Sequence, residues 1–135
     1  QSELGPRADL LIGTRSGLRR LVGSKIVADD GLPQKGINTF LEATSVDGVR
    51  RLLCGTDTGL FEWREDQWKR VVDAPSLTNQ VVFGLLETKT ASGSPVLWVG
   101  TVHGLARCEN GRWRWAFSTR ARRSAPRWRP RWWPG

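Results

Sequence analysis

The stretch LWVGTVHGL at residues 97–105 occurs in three copies; the others are LIGTRSGL at residues 11–18 and LCGTDTGL at residues 53–60. Each copy places apolar residues before Gly-Thr-x-x-Gly-Leu. The first glycine of this motif recurs after 42 residues and again after 45 residues. A period of about 40–45 residues is typical of stacked β units such as the four-stranded blade of a propeller.

Each copy of the motif predicts a β-hairpin. The apolar run that leads into it, for example residues 96–99, has the length of a strand buried on both faces. Thr-x-x-Gly predicts the turn, because glycine adopts the left-handed backbone conformation at the lowest cost. The second strands of the hairpins are expected at residues 18–22, 60–64 and 105–109.

The repeat extends to both sides of the hairpin. Residues 31–42 align without a gap on residues 76–87, and both stretches have a turn followed by an apolar strand. Trp68 and Trp113 each stand nine residues after a turn glycine, where the first copy has Ile26. Each complete unit is therefore predicted to have four strands.

These motifs resemble the two-component regulator propeller repeat. The matching runs are GLPxxxI at residues 31–37, LE at 41–42, LLCGTxxGL at 52–60 and, most closely, VLWVGTxxGL at 96–105. The resemblance covers residues 8 to about 117. The family often has Asp after the Glu of the first strand, where this chain has Ala43 and Thr88.

The resemblance implies an all-β fold, an incomplete β-propeller of about three four-stranded blades in tandem. It implies a non-catalytic, ligand-sensing part of an extracytoplasmic receptor of the histidine kinase or diguanylate cyclase type, on the periplasmic or extracellular side of a bacterial membrane. The implied partners are the remaining blades, a membrane-bound signalling module and an unknown small-molecule or glycan ligand. Ligand binding would shift the packing of the blades against that module.

The expected boundaries follow the repeat. Residues 1–7 are a linker or a cut end, 8–30 a partial blade without its opening strand, 31–74 and 75–118 two blades, and 119–135 a non-native or disordered tail. All of residues 120–135 except Ser124 are Arg, Ala, Pro, Trp or Gly, which have GC-rich codons. Because its three prolines also prevent strand pairing, we interpret the tail as a frameshift or truncation product.

The net charge of +8 is concentrated at one end of the chain. Residues 1–111 carry 13 basic and 13 acidic side chains, whereas residues 112–135 carry eight arginines and no acid. We therefore expect no nucleic acid binding by the folded part, although an Arg/Trp tail could bind anionic membranes or single strands. No apolar run reaches the ~20 residues of a spanning helix. No signal peptide is recognisable, so the export signal and membrane anchor are expected outside this chain.

The sequence predicts no enzymatic site. It has no phosphate-binding glycine loop, nucleophile elbow, HExxH or paired-cysteine motif, so no catalytic residue, cofactor or metal site is predicted. Cys54 and Cys108 align with apolar residues of the other copies, as do Trp68 and Trp98. Core packing is therefore the expected role of these cysteines and tryptophans, rather than a disulfide or a sugar-stacking platform.

Ligand-binding residues are expected at the end of the units that carries the Thr-x-x-Gly turns and the connectors between blades. The candidates there are Arg15, Gln34, Asp57, Asn79 and His103. They differ among the copies while the scaffold is constant, as is typical of recognition on loops. His103 has no second histidine to share a metal, so an exposed loop residue is the expected role.

Three other interpretations stay open. The first is a small self-assembling carbohydrate-binding propeller protein, which a discrete homo-oligomer would support. The second is a propeller lyase or hydrolase, which the lack of converging His, Asp and Glu disfavours. The third is a degenerate fragment without function, because three blades would expose strand edges and apolar faces.

Overall fold

The computed structural model describes residues 5–33, 35–45, 47–71 and 80–119. Of these residues, 66% are in strands and none is in an α-helix. The strands form three antiparallel sheets, and none of the described sheets closes on itself. The prediction of an all-β fold built from repeated sheets is therefore confirmed.

Each sheet is a meander in which every strand pairs with its neighbour in sequence. The first sheet consists of β1 Leu10–Thr14, β2 Gly17–Val22 and β3 Lys25–Asp29. The second consists of β4 Ile37–Thr44, β5 Arg50–Thr56, β6 Gly59–Arg64 and β7 Gln67–Arg70. The third consists of β8 Val82–Lys89, β9 Pro95–Thr101, β10 Gly104–Glu109 and β11 Arg112–Ser118.

The first sheet has three strands in the described part of the chain, and the other two have four. The strand that it lacks corresponds to β4 and β8, which open the second and third sheets. That residues 8–30 form a partial blade without its opening strand stays a prediction. The predictions for residues 1–4 and 120–135 concern residues outside those that the structure describes.

Two apolar layers hold the sheets together. One lies between the first and second sheets and consists of Leu18, Leu32, Ile37, Leu52, Cys54, Phe61 and Trp68. The other lies between the second and third sheets and consists of Ala43, Leu53, Leu60, Val71, Val82, Leu97, Val99 and Ala106. Because the second sheet is covered on both faces, residues 52–56 of β5 are buried without interruption. Because side chains on both faces of β5 are buried, both faces carry apolar residues, which explains the unbroken apolar run before Gly55.

The sheets meet chiefly through their opening strands: β4 contacts β1, and β8 contacts both β4 and β5. The first glycine of each motif creates the space for this contact. A Cβ atom at Gly13 would lie 2.8 Å from Cγ2 of Ile37, and one at Gly55 would lie 2.6 Å from Cγ1 of Val82. Glycine recurs at this slot because the next sheet packs directly on its backbone.

Candidate functional site

The Thr-x-x-Gly turn is built by the same two hydrogen bonds in all three sheets. The threonine hydroxyl donates to the carbonyl of the turn glycine, at 2.6 Å for Thr14, 2.9 Å for Thr56 and 3.2 Å for Thr101. The same oxygen accepts the amide of the residue two positions later, at 3.1–3.3 Å. The glycines have φ angles of 122°, 130° and 140°, which only glycine adopts readily. Both constant residues of the turn therefore have a structural role.

Within each complete sheet, the turn lies beside the start of the opening strand. Ile37 pairs with Thr56, and Val82 pairs with Thr101. The amide of Asp57 donates to the carbonyl of Gly36 over 2.9 Å, which ties the turn to the preceding connector. Turns and connectors therefore share one end of these sheets, which we call the turn end.

Neighbouring sheets present their turn ends on the same side. The side-chain amide of Asn38 donates to the carbonyl of Val82 in the third sheet over 2.9 Å and to Oδ1 of Asp57 over 3.0 Å. Ile37, at the start of β4, packs on Gly13 beside the first turn. The turns of all three sheets therefore belong to one end of the stack.

Three of the five predicted binding residues lie at the turn end. Arg15 and Asp57 are exposed at the tips of the first and second turns, and His103 is half-buried at the third. Asp57 also has a structural contact, because its carboxylate accepts a hydrogen bond from Asn38 and packs against Gly36. Gln34 and Asn79 lie outside the described residues, so their predicted role stays a prediction.

The structure adds residues to the turn end that sequence reasoning missed. Asn38 is one of them; the only sequence signal for it is a polar residue in the slot that Phe83 occupies in the next unit. Arg70 is another: its guanidinium donates to the carbonyl of Thr58 and lies 4.7 Å from the centre of the Phe61 ring. Arg19 donates to Oγ of Ser16 over 3.2 Å. The turn end therefore has fixed donors and acceptors of both charge signs, which suits a polar ligand.

Three concavities are centred away from the turn tips, although Arg70, which bonds the second turn, lines one of them. Sequence reasoning did not predict them. One cleft of about 560 Å³ is lined mainly by Arg51, Glu62, Arg64, Lys69 and Arg70 on the second sheet. A similar cleft of about 700 Å³ lies on the third sheet beside Arg107, Glu109, Arg112, Trp113 and Arg114. A smaller one of about 170 Å³ lies between these sheets, beside Glu87, Pro95, Cys108 and Trp113. None of the three is lined by Arg15, Asp57 or His103.

The cysteines and the core tryptophans pack as the repeat alignment predicted. Cys54 and Cys108 are not joined in a disulfide; Cys54 is fully buried, and this burial raises the pKa of its thiol to about 12. Trp63 and Trp68 meet edge to face with ring centres 5.4 Å apart, a favourable aromatic geometry. Trp98 is different, because it lies half-buried on a face that no other described sheet covers.

Among the described residues, no group of three or more His, Cys, Asp or Glu side chains is placed to hold a metal ion. That part of the chain also has no helix of the length and apolar character needed to cross a membrane. No protein-family model matches the chain, and neither the curated proteins nor the solved structures provide a match. The resemblance to the propeller repeat therefore rests on the motif residues themselves.

Proposed function

We propose that this chain is the ligand-sensing, non-catalytic propeller portion of an extracytoplasmic signal-transduction receptor. The observation that carries the proposal is the set of three turns with the same hydrogen bonds at one end of the stacked sheets. Between the constant Thr and Gly, each turn presents a different pair of residues: Arg-Ser, Asp-Thr and Val-His. A constant scaffold with variable tips is the arrangement expected of a recognition surface.

The chemistry of these tips favours a polar small molecule or a glycan. The guanidinium of Arg15 offers several hydrogen-bond donors, and the carboxylate of Asp57 offers acceptors. The imidazole of His103 can donate or accept a hydrogen bond. The hydroxyl groups of Ser16 and Thr58 lie beside them and can exchange hydrogen bonds with sugar hydroxyls. No large apolar side chain occupies the tips of the first two turns, so an apolar ligand would have little surface to cover.

The stacking of the sheets supports the propeller part of the proposal. Each opening strand packs on the sheet before it, and the sheets follow one another in chain order with their turns on one side. A propeller arranges its blades in this way around a central axis. In such a ring, the turn end would be one face of the disc, where ligand-binding loops are expected.

A mechanism of signalling follows from the contact between sheets at the turn end. Asn38 joins the second turn to the opening strand of the third sheet through Asp57 and Val82. A ligand that binds Asp57 would compete for, or strengthen, the hydrogen bond from Asn38. Either change would alter how the second and third sheets pack, and a membrane-proximal kinase or cyclase module could read that change. The module and the extracytoplasmic location are proposed from the resemblance.

The proposal can be tested by mapping ligand contacts on the isotopically labelled chain. A panel of neutral monosaccharides, uronic acids and short oligosaccharides would be titrated while amide chemical shifts are recorded. We expect one class to shift the amides of residues 15, 57 and 103 and to lose that effect when Arg15, Asp57 and His103 are replaced by alanine together. The matched control replaces Ser92, Lys89 and Arg50, which lie at the opposite end of the sheets, and should leave binding unchanged.

Two outcomes would count against the proposal. Shift changes confined to the charged clefts on the second and third sheets would move the binding site away from the turns. Equal loss of binding in the control variant would mean that the alanine substitutions act through stability and not through contact with the ligand.

A further inference from the structure

The third sheet has one face that no other described sheet covers. This distal face, which points away from the second sheet, is defined by two rows of cross-strand neighbours. The first row is Leu86, Trp98, Arg107 and Arg114, and the second is Gly84, Gly100, Leu105 and Phe117. Leu86 is 58% exposed and Phe117 is 56% exposed. Large apolar side chains exposed together in this way mark an interaction surface.

The corresponding faces of the first two sheets are covered. Leu18, Leu60 and Leu105 hold the same slot of the motif and are 0%, 1% and 36% exposed, respectively. Leu18 is covered by the second sheet and Leu60 by the third. The same residue in the same local structure is thus buried twice and exposed once, and the difference is the presence of a following sheet.

The space above the first glycine of each motif, which we call the glycine seat, gives the same result independently of side-chain exposure. Ile37 occupies the seat at Gly13, and Val82 occupies the seat at Gly55. At Gly100, the nearest described atom to a Cβ would be the carbonyl oxygen of Gly84, 3.8 Å away. The space that the first two glycines give to an apolar side chain is therefore open at Gly100.

We infer that the distal face is the docking surface for a further four-stranded unit of this repeat. Its opening strand would place a valine or isoleucine on Gly100 and cover Leu105. The partner is specified by the two interfaces inside the chain, each of which joins this face of one sheet to the opening strand of the next. Docking of a further unit rests on the propeller part of the proposed function and does not require ligand binding at the turn end.

A second copy of this chain fits the distal face less well. Its first sheet has no opening strand among the described residues, so nothing in that sheet would occupy the seat at Gly100. In addition, Arg19 stands in the slot that Phe61 and Ala106 fill in the other sheets, where they are 6% and 3% exposed. Docking a second copy would bury this guanidinium, and burial of an unpaired charge is costly.

The test inserts a second copy of residues 75–118 between Ser118 and Thr119 of the full chain and compares Gly100→Val in both proteins. In the original chain, we expect Gly100→Val to leave the melting temperature unchanged, because the seat is open. In the extended chain, the same substitution should lower it by about 2–10 °C, as overpacking of a filled seat does. Gly55→Val is the positive control and should lower the melting temperature of both proteins.

A second measurement reports on coverage directly. Leu105→Cys should react with a maleimide at least about tenfold more slowly in the extended chain than in the original, since burial limits access to the thiol. Equal reactivity, an equal effect of Gly100→Val in both proteins, or an extended chain that fails to fold while the original folds would each overturn the inference. A discrete oligomer of the original chain that Leu105→Lys dissociates would also overturn it and would identify a second copy as the occupant.

Discussion

Replacement of Thr56 by valine tests the origin of the repeated turn. The threonine side chain is only 1% exposed, and its hydroxyl bonds the Gly59 carbonyl and the Thr58 amide at 2.9 and 3.1 Å. Valine keeps the shape of the side chain but removes both hydrogen bonds and leaves the buried carbonyl without this partner. Thr14→Val is the matched control, because Thr14 makes the same bonds in a half-buried turn.

The expected magnitude follows from burial. Each hydrogen bond contributes about 0.5–1.5 kcal/mol net, and a buried group left unpaired costs about 1–3 kcal/mol. We therefore expect Thr56→Val to lower the free energy of unfolding by about 2–3 kcal/mol. Thr14→Val should cost about 1 kcal/mol or less, since water can replace the lost bonds. Thr56→Ser keeps the hydroxyl and should cost about 1 kcal/mol for the lost methyl group.

The assay is urea unfolding followed by tryptophan fluorescence, with the midpoint and the denaturant dependence fitted together. We expect a lower midpoint for Thr56→Val at an unchanged dependence on urea. Equal effects of Thr56→Val and Thr14→Val, or a Thr56→Ser effect as large as that of Thr56→Val, would refute the role assigned to the hydroxyl. Either result would mean that the hydroxyl is conserved among the copies for a reason other than its buried bonds.

Three further predictions follow from single residues. The pKa of Cys54 is raised from 9.0 to about 12 in the folded chain, so as the pH rises the unfolded chain loses this proton first. The free energy of unfolding should therefore fall by up to about 1.4 kcal/mol per pH unit between pH 9 and 12. The fall should be less steep in Cys54→Ala. The Ser45 hydroxyl bonds Asp47 and lowers its carboxyl pKa below 3.8; Ser45→Ala should raise that pKa in an NMR titration, and an unchanged value would contradict the assignment. Trp68→Ala should cost about 3–5 kcal/mol and Trp98→Ala less than half as much in urea unfolding, and equal costs would contradict the assigned burial.

The repeat is the part of the structure that could be predicted from the sequence, because the strand and turn patterns in each unit indicate the same local structure. Apolar runs mark the strands, and a Thr-x-x-Gly turn sets each hairpin. The second strands, for example, are expected from Leu18 and Leu60 and begin one residue earlier, at Gly17 and Gly59. The turn end was also predictable, since alternating strands return the chain to the same end of each sheet.

The residues that join one sheet to the next could not be predicted in this way. Asn38 bonds both Asp57 and Val82, but its slot holds Phe83 in the following unit, so the repeat gives no consistent signal there. Asp57 was expected to contact ligand, and the structure also gives it a hydrogen bond from Asn38. Arg70 reaches the turn from β7, and its slot holds Ala28 and Trp115 in the other units, so the repeat gives no consistent signal there either.

Sequence alone determined the unit: its period, its strands, and the Thr and Gly of its turn, because hydrogen bonds within four residues and short apolar runs are local properties. Tertiary structure decided whether equivalent residues of the three units are buried or exposed. Leu60 is buried and Leu105 is exposed, and the glycine seat is filled at Gly55 and open at Gly100. The physical reason is that a sheet face is buried only when another sheet packs on it. The local sequence of a strand does not specify whether such a sheet is present.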